Sequence, residues 1–360
     1  MLIAIYSGME FSVVSVSHSA GNLRGEGTMD EADVDPCRSD YVEHTRQLFV
    51  DVAQQGAIAT GERPARRAVF RKTHGVASGT MVLDQARPKE LRQGIFAGDR
   101  YLLGLRFSSD VAPDADDADN GTIGVAIKLF GVTPPTLAEI DPGAPTADLI
   151  LQNHDVFFVD TGYDMCVFTD LALKGKIEDW FRDHPDTRQI LADMAKREDS
   201  VLAATYFSVL PYAFGAERTV KYRLRPLQAG PSRAPITDRN RLATDFAERL
   251  AAGSAAFAFE IQVPATGKTL PIDQATSRWS EEDAPFVPVA TVEIPQQDVG
   301  REGQQAYGDT LAFSPWRVPE ANRPLGSIAE SRRRAYPSSA ALRHYVNGTP
   351  EAEPHMPRKS

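Results

Sequence analysis

The chain has 360 residues, of which 42% are hydrophobic and 24% charged, and its formal net charge at pH 7 is −10. These values are typical of a globular protein of one or two domains, and the acidic surplus argues against a general nucleic-acid or anionic-membrane surface. The only two cysteines, Cys37 and Cys166, provide neither a zinc pattern nor a disulfide framework. We expect two free thiols, although one bridge is allowed, and hence a reducing, cytoplasmic compartment. No apolar run reaches the length of a membrane span.

The N-terminal part of the sequence divides into two segments. Residues 15–40 are rich in Ser, Gly, Asp and Glu without periodicity, so we predict a mobile tail over residues 1–40. In residues 41–55, Leu48 and Val52 recur at helical spacing, which predicts a helical arm over residues 41–66.

From about residue 69 the apolar residues recur with period two, as in Ile123, Val125, Ile127 and Leu129. Strict alternation indicates half-buried strands, and several such strands separated by turns favour an antiparallel barrel or sandwich. We predict this unit over residues 67–318, with helical insertions at 171–196, broken near Pro185, and at 241–252. The predicted strands include residues 101–109, 123–129, 155–160, 219–226, 257–263 and 290–294.

Two patterns are set aside. Residues 110–120 contain five Asp, but an EF-hand loop that began at Asp117 would close on Lys128 instead of Glu, so we predict a solvated acidic loop. No glycine-rich phosphate loop follows a predicted strand, which argues against a dinucleotide-binding fold.

The segment 319–360 contains the most informative motif, in which Arg332, Tyr336 and Arg343 share one face of a predicted helix. At about 100° per residue, Tyr336 lies roughly 40° and Arg343 roughly 20° around the axis from Arg332. A phenol ligates a metal only after losing its proton, which an adjacent cation favours. The second Arg suits a carboxylate. Taken alone, a basic cluster at a helix end is typically solvated and complements the helix dipole.

Upstream segments give this helix a context. They are Arg71-Lys72-Thr73-His74-Gly75, residues 91–96, Leu105-Arg106-Phe107-Ser108, Gln152-Asn153-His154-Asp155-Val156-Phe157-Phe158, residues 311–315 and residues 323–326. In this order and spacing, and over roughly residues 65–345, the chain resembles the haem catalase superfamily, and within it the small, catalase-related branch.

The resemblance implies a fold, a cofactor and a class of reaction. The implied fold is α+β, an antiparallel eight-stranded β-barrel with surrounding helices, and the implied cofactor is haem b with its iron. The implied site residues are Tyr336 as iron ligand, Arg332 as the cation beside it, Arg71, Arg106 and Arg343 as haem-propionate partners, His74 as the distal histidine, Ser108 as the hydroxyl that orients it, and Phe157 on the haem face.

Three departures from the family pattern limit what the resemblance implies. Catalases carry a pair of Asn where this chain has Gln152-Asn153; strict register puts Gln152 at the catalytic amide, whereas a shift of one residue puts Asn153 there, which we expect. Thr73 stands where catalases commonly have Val and the related allene oxide synthases have Thr; it could also simply fill space. The C-terminal domain of full-length catalases has no counterpart here, which would widen the channel.

We therefore expect a haem-dependent, peroxide-cleaving enzyme, a catalase-related peroxidase with weak catalase activity. Two alternatives stay open: a fatty-acid hydroperoxide isomerase or lyase, and a haem-binding or sensing barrel without turnover. The expected partners are hydrogen peroxide or an organic hydroperoxide and an electron donor that the sequence does not identify. We expect no nucleic acid and no membrane span, and a homo-oligomer is allowed.

Overall fold

The computed structural model describes residues 35–228 and 237–358. Most of the predicted tail, residues 1–34, lies outside this described part of the chain. Helix α1 (Pro36–Arg46) begins at a proline in its first turn, and the Asp35 side chain accepts a hydrogen bond from the Cys37 amide at 3.0 Å. The chain continues through a π-helical segment (Gln47–Gln54) into α2 (Gln55–Ala59).

In the described residues, nine antiparallel strands build the centre of the molecule. Eight close into a barrel in the order β5-β4-β3-β2-β1-β9-β8-β7, because β5 also pairs with β7, and β6 extends the sheet beside β7. The predicted eight-stranded antiparallel barrel with surrounding helices is confirmed. The strands are β1 (Lys72–Leu83), β2 (Arg100–Ser109), β3 (Ile123–Phe130), β4 (Thr146–Gln152), β5 (Tyr206–Phe207), β6 (Tyr212–Phe214), β7 (Arg218–Pro226), β8 (Ala255–Gln262) and β9 (Phe286–Ile294).

The pleat of β2 and β3 separates the barrel core from an outer face. Phe107 pairs with Val125, and both belong to the main hydrophobic core. The intervening residues point to the opposite side, since successive side chains of a strand alternate. Arg106 pairs with Ala126 there. The outer face of these strands is therefore available to form a wall of a second compartment.

Helices cover the barrel. Their starts follow local signals: Thr161 and Asp164 form a reciprocal capping box at the first turn of α3, and Pro185 begins α5, at the predicted break. The helices are α3 (Gly162–Leu173), α4 (Ile177–Asp183), α5 (Pro185–Met194), α6 (Arg241–Ala252), α7 (Gln304–Thr310) and α8 (Ser327–Asn347), with 3₁₀ turns at Lys89–Leu91, Gly94–Ala97, Asp117–Asp119 and Glu320–Asn322.

Several predictions need correction. Residues 155–160 form bends instead of a strand, because β4 ends at Gln152. Cys37 and Cys166 are not free thiols; they form a disulfide that joins α1 to α3. The acidic loop is not wholly solvated, since Asp110 and Asp117 are buried. The division of the chain into tail, arm, barrel and terminal helix stays a prediction. No helix of the described residues is both long and apolar enough to cross a membrane.

Candidate functional site

A cavity of about 220 Å³ lies between the outer face of the barrel and helix α8. Its volume is more than ten times what one water molecule needs, so it can hold a sizeable ligand. The barrel wall contributes polar groups at the ends of β2 and β4, and the opposite wall comes from α8 and the segment before β1. The lining includes Arg67, Phe70, Arg106, Ser108, Gly124, Gln152, Phe157, Phe158, Met165, Phe313, Arg332, Tyr336, Ser339 and Arg343.

Arg332 and Tyr336 form a pair in the helix wall. They are one helical turn apart, and Nη2 of Arg332 donates a hydrogen bond to the Tyr336 hydroxyl at 2.7 Å. Burial alone would lower the pKa of Arg332, but the phenols of Tyr336 and Tyr212 outweigh it and raise that pKa above its ordinary value. A guanidinium that remains charged beside the phenol favours the ionised phenolate, which is the form that ligates metals.

Three further cations, Arg67, Arg106 and Arg343, line the cavity wall. Burial lowers the pKa of each, to about 10 for Arg106 and Arg343, and well below its ordinary value for Arg67. Arg106 and Arg343 also lower the pKa of Arg67, Arg343 lowers that of Arg106, and the Asp309 carboxylate raises the pKa of all three.

The hydrogen bonds of this arginine trio go to neutral oxygens. Arg106 donates to the Ser108 hydroxyl at 2.7 Å, the Thr73 hydroxyl at 2.7 Å and a backbone carbonyl. Arg67 and Arg343 both donate to the Leu311 carbonyl. Within the described part of the chain, no carboxylate forms an ion pair with the trio, and Nε of Arg106 and of Arg343 lacks a partner. The cavity wall thus carries buried positive charge that is not compensated by direct ion pairs.

The trio differs by one residue from the predicted propionate partners. Arg71 does not line the cavity, because its guanidinium forms an ion pair with Glu62. Arg67, four residues earlier, lies in the cavity instead. Sequence reasoning missed Arg67 because it precedes β1 in a segment without regular structure, where no periodicity orients a side chain.

The structure does not bring His74 into the cavity with Tyr336. A β-bulge between Thr73 and Gly75 puts Thr73 opposite Ser108, on the cavity side. His74 and Lys72 point the other way, towards Asp117, whose carboxylate lies 4.0 Å from Nδ1 of His74.

His74 is fully enclosed there. Its side chain has no exposed surface, and neither ring nitrogen has a hydrogen-bond partner among the described residues. Burial is the main reason that its pKa falls to about 4, and the nearby cation of Lys72 lowers it further against the pull of Asp117. The placement gives no support to the expected role of His74 as distal residue.

The side-chain amides of the neighbouring residues Gln152 and Asn153 also differ in whether they face the cavity. Both polar atoms of the Asn153 side chain are hydrogen-bonded to other residues. The oxygen accepts from the Ile123 amide at 3.0 Å, and the nitrogen donates to Glu198 at 2.9 Å. Gln152 lines the cavity, and its Nε2 has no hydrogen-bond partner in the described chain. The free amide donor that faces the cavity therefore belongs to Gln152, whereas our expectation was Asn153.

The other expected residues lie in or beside the cavity. Ser108 and Phe157 line it, and the Phe157 ring packs on that of Phe158 with centroids 4.5 Å apart. Thr73 is linked to the cavity through the hydrogen bond from Arg106. The structure thus brings together Tyr336, Arg332, Arg343, Arg106, Ser108, Gln152 and Phe157, and it leaves His74, Asn153 and Arg71 outside.

These residues fit a flat, dianionic, metal-bearing group such as haem. A phenol paired with a cation offers a metal ligand, uncompensated guanidinium groups offer partners for carboxylates, and aromatic side chains offer an apolar surface. The free Nε groups of Arg106 and Arg343 are buried donors that a bound anion would satisfy.

The closed barrel with this outer cavity defines a catalase-like fold. Among solved structures, the chain is similar to a fungal catalase, with a TM-score of 0.60 and 18% identity over 81% of this chain and 63% of that one. It is also similar to a bacterial catalase, with a TM-score of 0.61 and 15% identity over 97% of this chain and 69% of that one. No protein-family model and no curated protein matches the chain. At these identities the similarity establishes the fold.

Proposed function

We propose that the chain binds haem b through Tyr336 and cleaves peroxides as a catalase-related peroxidase. One observation carries the proposal: a phenol paired with Arg332 faces a cavity whose wall holds three buried guanidinium groups, none of which forms an ion pair with a carboxylate of the described residues. The catalase-like fold supports it, since both similar structures are catalases. Haem, when bound, supplies the redox chemistry of O–O cleavage.

Each wall of the cavity has a separate task in this proposal. Tyr336 binds the iron as phenolate, and the hydrogen bond from Arg332 holds the negative charge on its oxygen. Arg67, Arg106 and Arg343 bind the two carboxylates of the porphyrin, and Phe157 packs on its face. The mostly apolar lining of the cavity also strengthens these charge interactions.

The barrel wall supplies the groups that meet the peroxide. Gln152 has a free amide donor, and we propose that it positions a peroxide oxygen. The Ser108 hydroxyl lies on the same wall, separated from Gln152 by Gly124 of β3, and is already bonded to Arg106. The residues described in the cavity lining include no imidazole. We therefore assign no histidine as a general base in the cavity.

Addition of haemin to the purified chain tests the ligand assignment. We expect one haem per chain and the absorption spectrum of a tyrosinate-ligated ferric haem. Tyr336→Phe should abolish this spectrum, because Tyr336 is the one tyrosine among the described residues that line the cavity. Tyr345→Phe on the same helix is the matched control, since that ring is 83% exposed. An unchanged spectrum in Tyr336→Phe would show that the ligand is a different residue.

A second function is favoured by the missing imidazole. Hydrogen peroxide turnover requires a proton to move from one oxygen to the other, which a positioned base accelerates. Rearrangement of an organic hydroperoxide, as by an isomerase or lyase, consumes no second peroxide and makes a smaller demand on such a base. The mostly apolar cavity lining suits the chain of a lipid hydroperoxide.

Product analysis separates these functions. Oxygen release from hydrogen peroxide would indicate catalase activity, and oxidation of an added phenol would indicate peroxidase activity. Rearranged products from a fatty-acid hydroperoxide, without consumption of a donor, would establish the isomerase or lyase. Turnover no faster than that of free haem with all three substrates would refute an enzymatic role and leave a haem-binding barrel.

A further inference from the structure

A second cluster of metal-binding side chains lies where α1 packs against α3. Cys37 and Cys166 are buried and joined by the disulfide, and a small apolar cluster that includes Leu48 surrounds them. His44 lies beside them: one ring nitrogen of His44 and the two sulfur atoms are all within 4.8 Å of one another. A disulfide that only joins two helices does not require an imidazole at its side.

The tautomer of His44 follows from its neighbours. Nδ1 lies 3.2 Å from Oε1 of Gln47, and the amide nitrogen of Gln47 faces Glu43 at 3.3 Å. Because that oxygen can only accept, Nδ1 carries the proton, and Nε2 is left with its lone pair. Nε2 is buried and has no hydrogen-bond partner among the described residues. This is the arrangement of a histidine ligand, whose second nitrogen donates to a neighbouring acceptor.

The packing of α1 on α3 brings these groups together. Cys37 and His44 both belong to α1, on either side of a kink at Asp40, where φ is −155° and ψ is 86°. Cys166 faces them from α3, and Asp170, one turn further along α3, has a carboxylate oxygen 3.9 Å from Nε2 of His44. Two sulfurs, an imidazole and a nearby negative charge are the donor set that Zn²⁺ prefers in proteins.

We propose that Cys37, Cys166 and His44 form a redox-controlled Zn²⁺ site. When the cysteines are reduced, their thiolates and Nε2 of His44 bind the metal; when they are oxidised, the disulfide replaces it. His44 keeps a 19% exposed side chain, which gives the ion a path from solvent. This inference does not depend on haem binding, because none of the three ligands lines the cavity.

The two states interconvert with simple stoichiometry. A dithiol reductant transfers two electrons and two protons to the disulfide and gives two thiols, whose protons leave when Zn²⁺ binds. Hydrogen peroxide reverses this: the two thiolates lose two electrons and form the S–S bond, the O–O bond breaks, and two added protons complete two water molecules. Zn²⁺ is released in that step.

The cluster also adjoins the cavity through the backbone. Thr45, next to His44, and Met165, next to Cys166, both line the cavity. A change between disulfide and metal moves the two sulfur atoms apart, since each must then bond to zinc at about 2.3 Å instead of to the other sulfur. The movement that accompanies oxidation or reduction of Cys37 and Cys166 therefore takes place next to residues of the cavity wall.

Metal titration of the full chain tests the proposal. The probes are Co²⁺ and Zn²⁺ salts, added to metal-free protein that was reduced with a phosphine, which supplies no thiol ligand. We expect one Co²⁺ per reduced chain, with a thiolate-to-cobalt charge-transfer band that Zn²⁺ removes. The oxidised chain should show no band, and this comparison requires no substitution.

Variants assign the ligands. Cys37→Ser should abolish the band, and His44→Ala should weaken metal affinity by at least about tenfold. His355→Ala is the control, since that residue is exposed near the C-terminus. Full affinity in His44→Ala, or equal affinity in the reduced chain and Cys37→Ser, would overturn the site. Peroxide should release one Zn²⁺ for each disulfide formed; disulfide formation without metal release would overturn the switch.

Discussion

Replacement of His74 by leucine tests whether this histidine is sealed inside the barrel. The substitution keeps a side chain of similar size and removes only the titrating group. Neither ring nitrogen has a hydrogen-bond partner in the described structure, so leucine breaks no hydrogen bond. At pH 8 we therefore expect the free energy of unfolding of His74→Leu to lie close to that of the wild type.

The magnitude at acidic pH follows from the pKa of His74. Burial lowers this pKa from 6.5 to about 4 in the folded chain. Between these values the unfolded chain binds a proton that the folded chain does not, so the stability present above pH 6.5 is lost as the pH falls. At pH 4.5 the wild type should have lost about 2.5 kcal/mol relative to pH 8 from this group alone.

Urea unfolding of both proteins across this pH range measures the effect. Other groups titrate in both chains, so the informative quantity is the difference between the two stability curves. It should widen by about 2.5 kcal/mol in favour of His74→Leu between pH 8 and 4.5. His355→Leu, an exposed histidine, should run parallel to the wild type. Parallel curves for His74→Leu would refute the enclosed placement and reopen the possibility that His74 faces the cavity.

Two further predictions concern stability. Cys37→Ser should lower the free energy of unfolding of the oxidised chain by up to about 5 kcal/mol, because the disulfide closes a long loop in the unfolded state. Under reducing conditions the same substitution should lower it much less. Equal effects in both conditions would contradict the bridge. Lys128→Met should cost about 3–5 kcal/mol in urea unfolding, because Lys128 is buried between Asp148 and Glu353 at 2.7 Å from each; an unchanged midpoint would contradict this network.

The barrel could be predicted from the sequence because period two survives in long strands. Residues 101–109 and 123–129 were predicted as strands and are β2 and β3, where one face is barrel core. The prediction of a strand at residues 155–160 was wrong for a physical reason. Its residues Val156 and Phe158 are buried by packing of irregular chain under α3, and apolar burial alone does not distinguish a strand from a buried bend.

The site was predictable where it is built on regular elements. Arg332, Tyr336 and Arg343 follow from helical spacing, whereas Arg106 and Ser108, which lie on β2, are implied by the family resemblance. Which side chains of β1 face the cavity could not be predicted in the same way. A bulge of one residue reverses which side chains face the cavity, and no sequence pattern marks the bulge at His74.

The disulfide and Arg67 needed the folded chain for a different reason. Cys37 and Cys166 are 129 residues apart, and only the packing of α1 on α3 brings them together. Arg67 lies before β1, where the backbone is irregular and neither period applies. Both are contacts between elements, whereas sequence periodicity reports on one element at a time.

The arginine trio determines which ligand charge the cavity favours. The pKa values of Arg106 and Arg343 each fall from 12.5 to about 10, which corresponds to a cost on the order of 3 kcal/mol for keeping each one charged. A folded chain carries such a cost only where other interactions offset it. Carbonyl and hydroxyl oxygens offset it in part, and a bound carboxylate would offset more. Binding of a carboxylate would therefore recover part of this free energy, which favours an anionic ligand over a neutral one of the same shape.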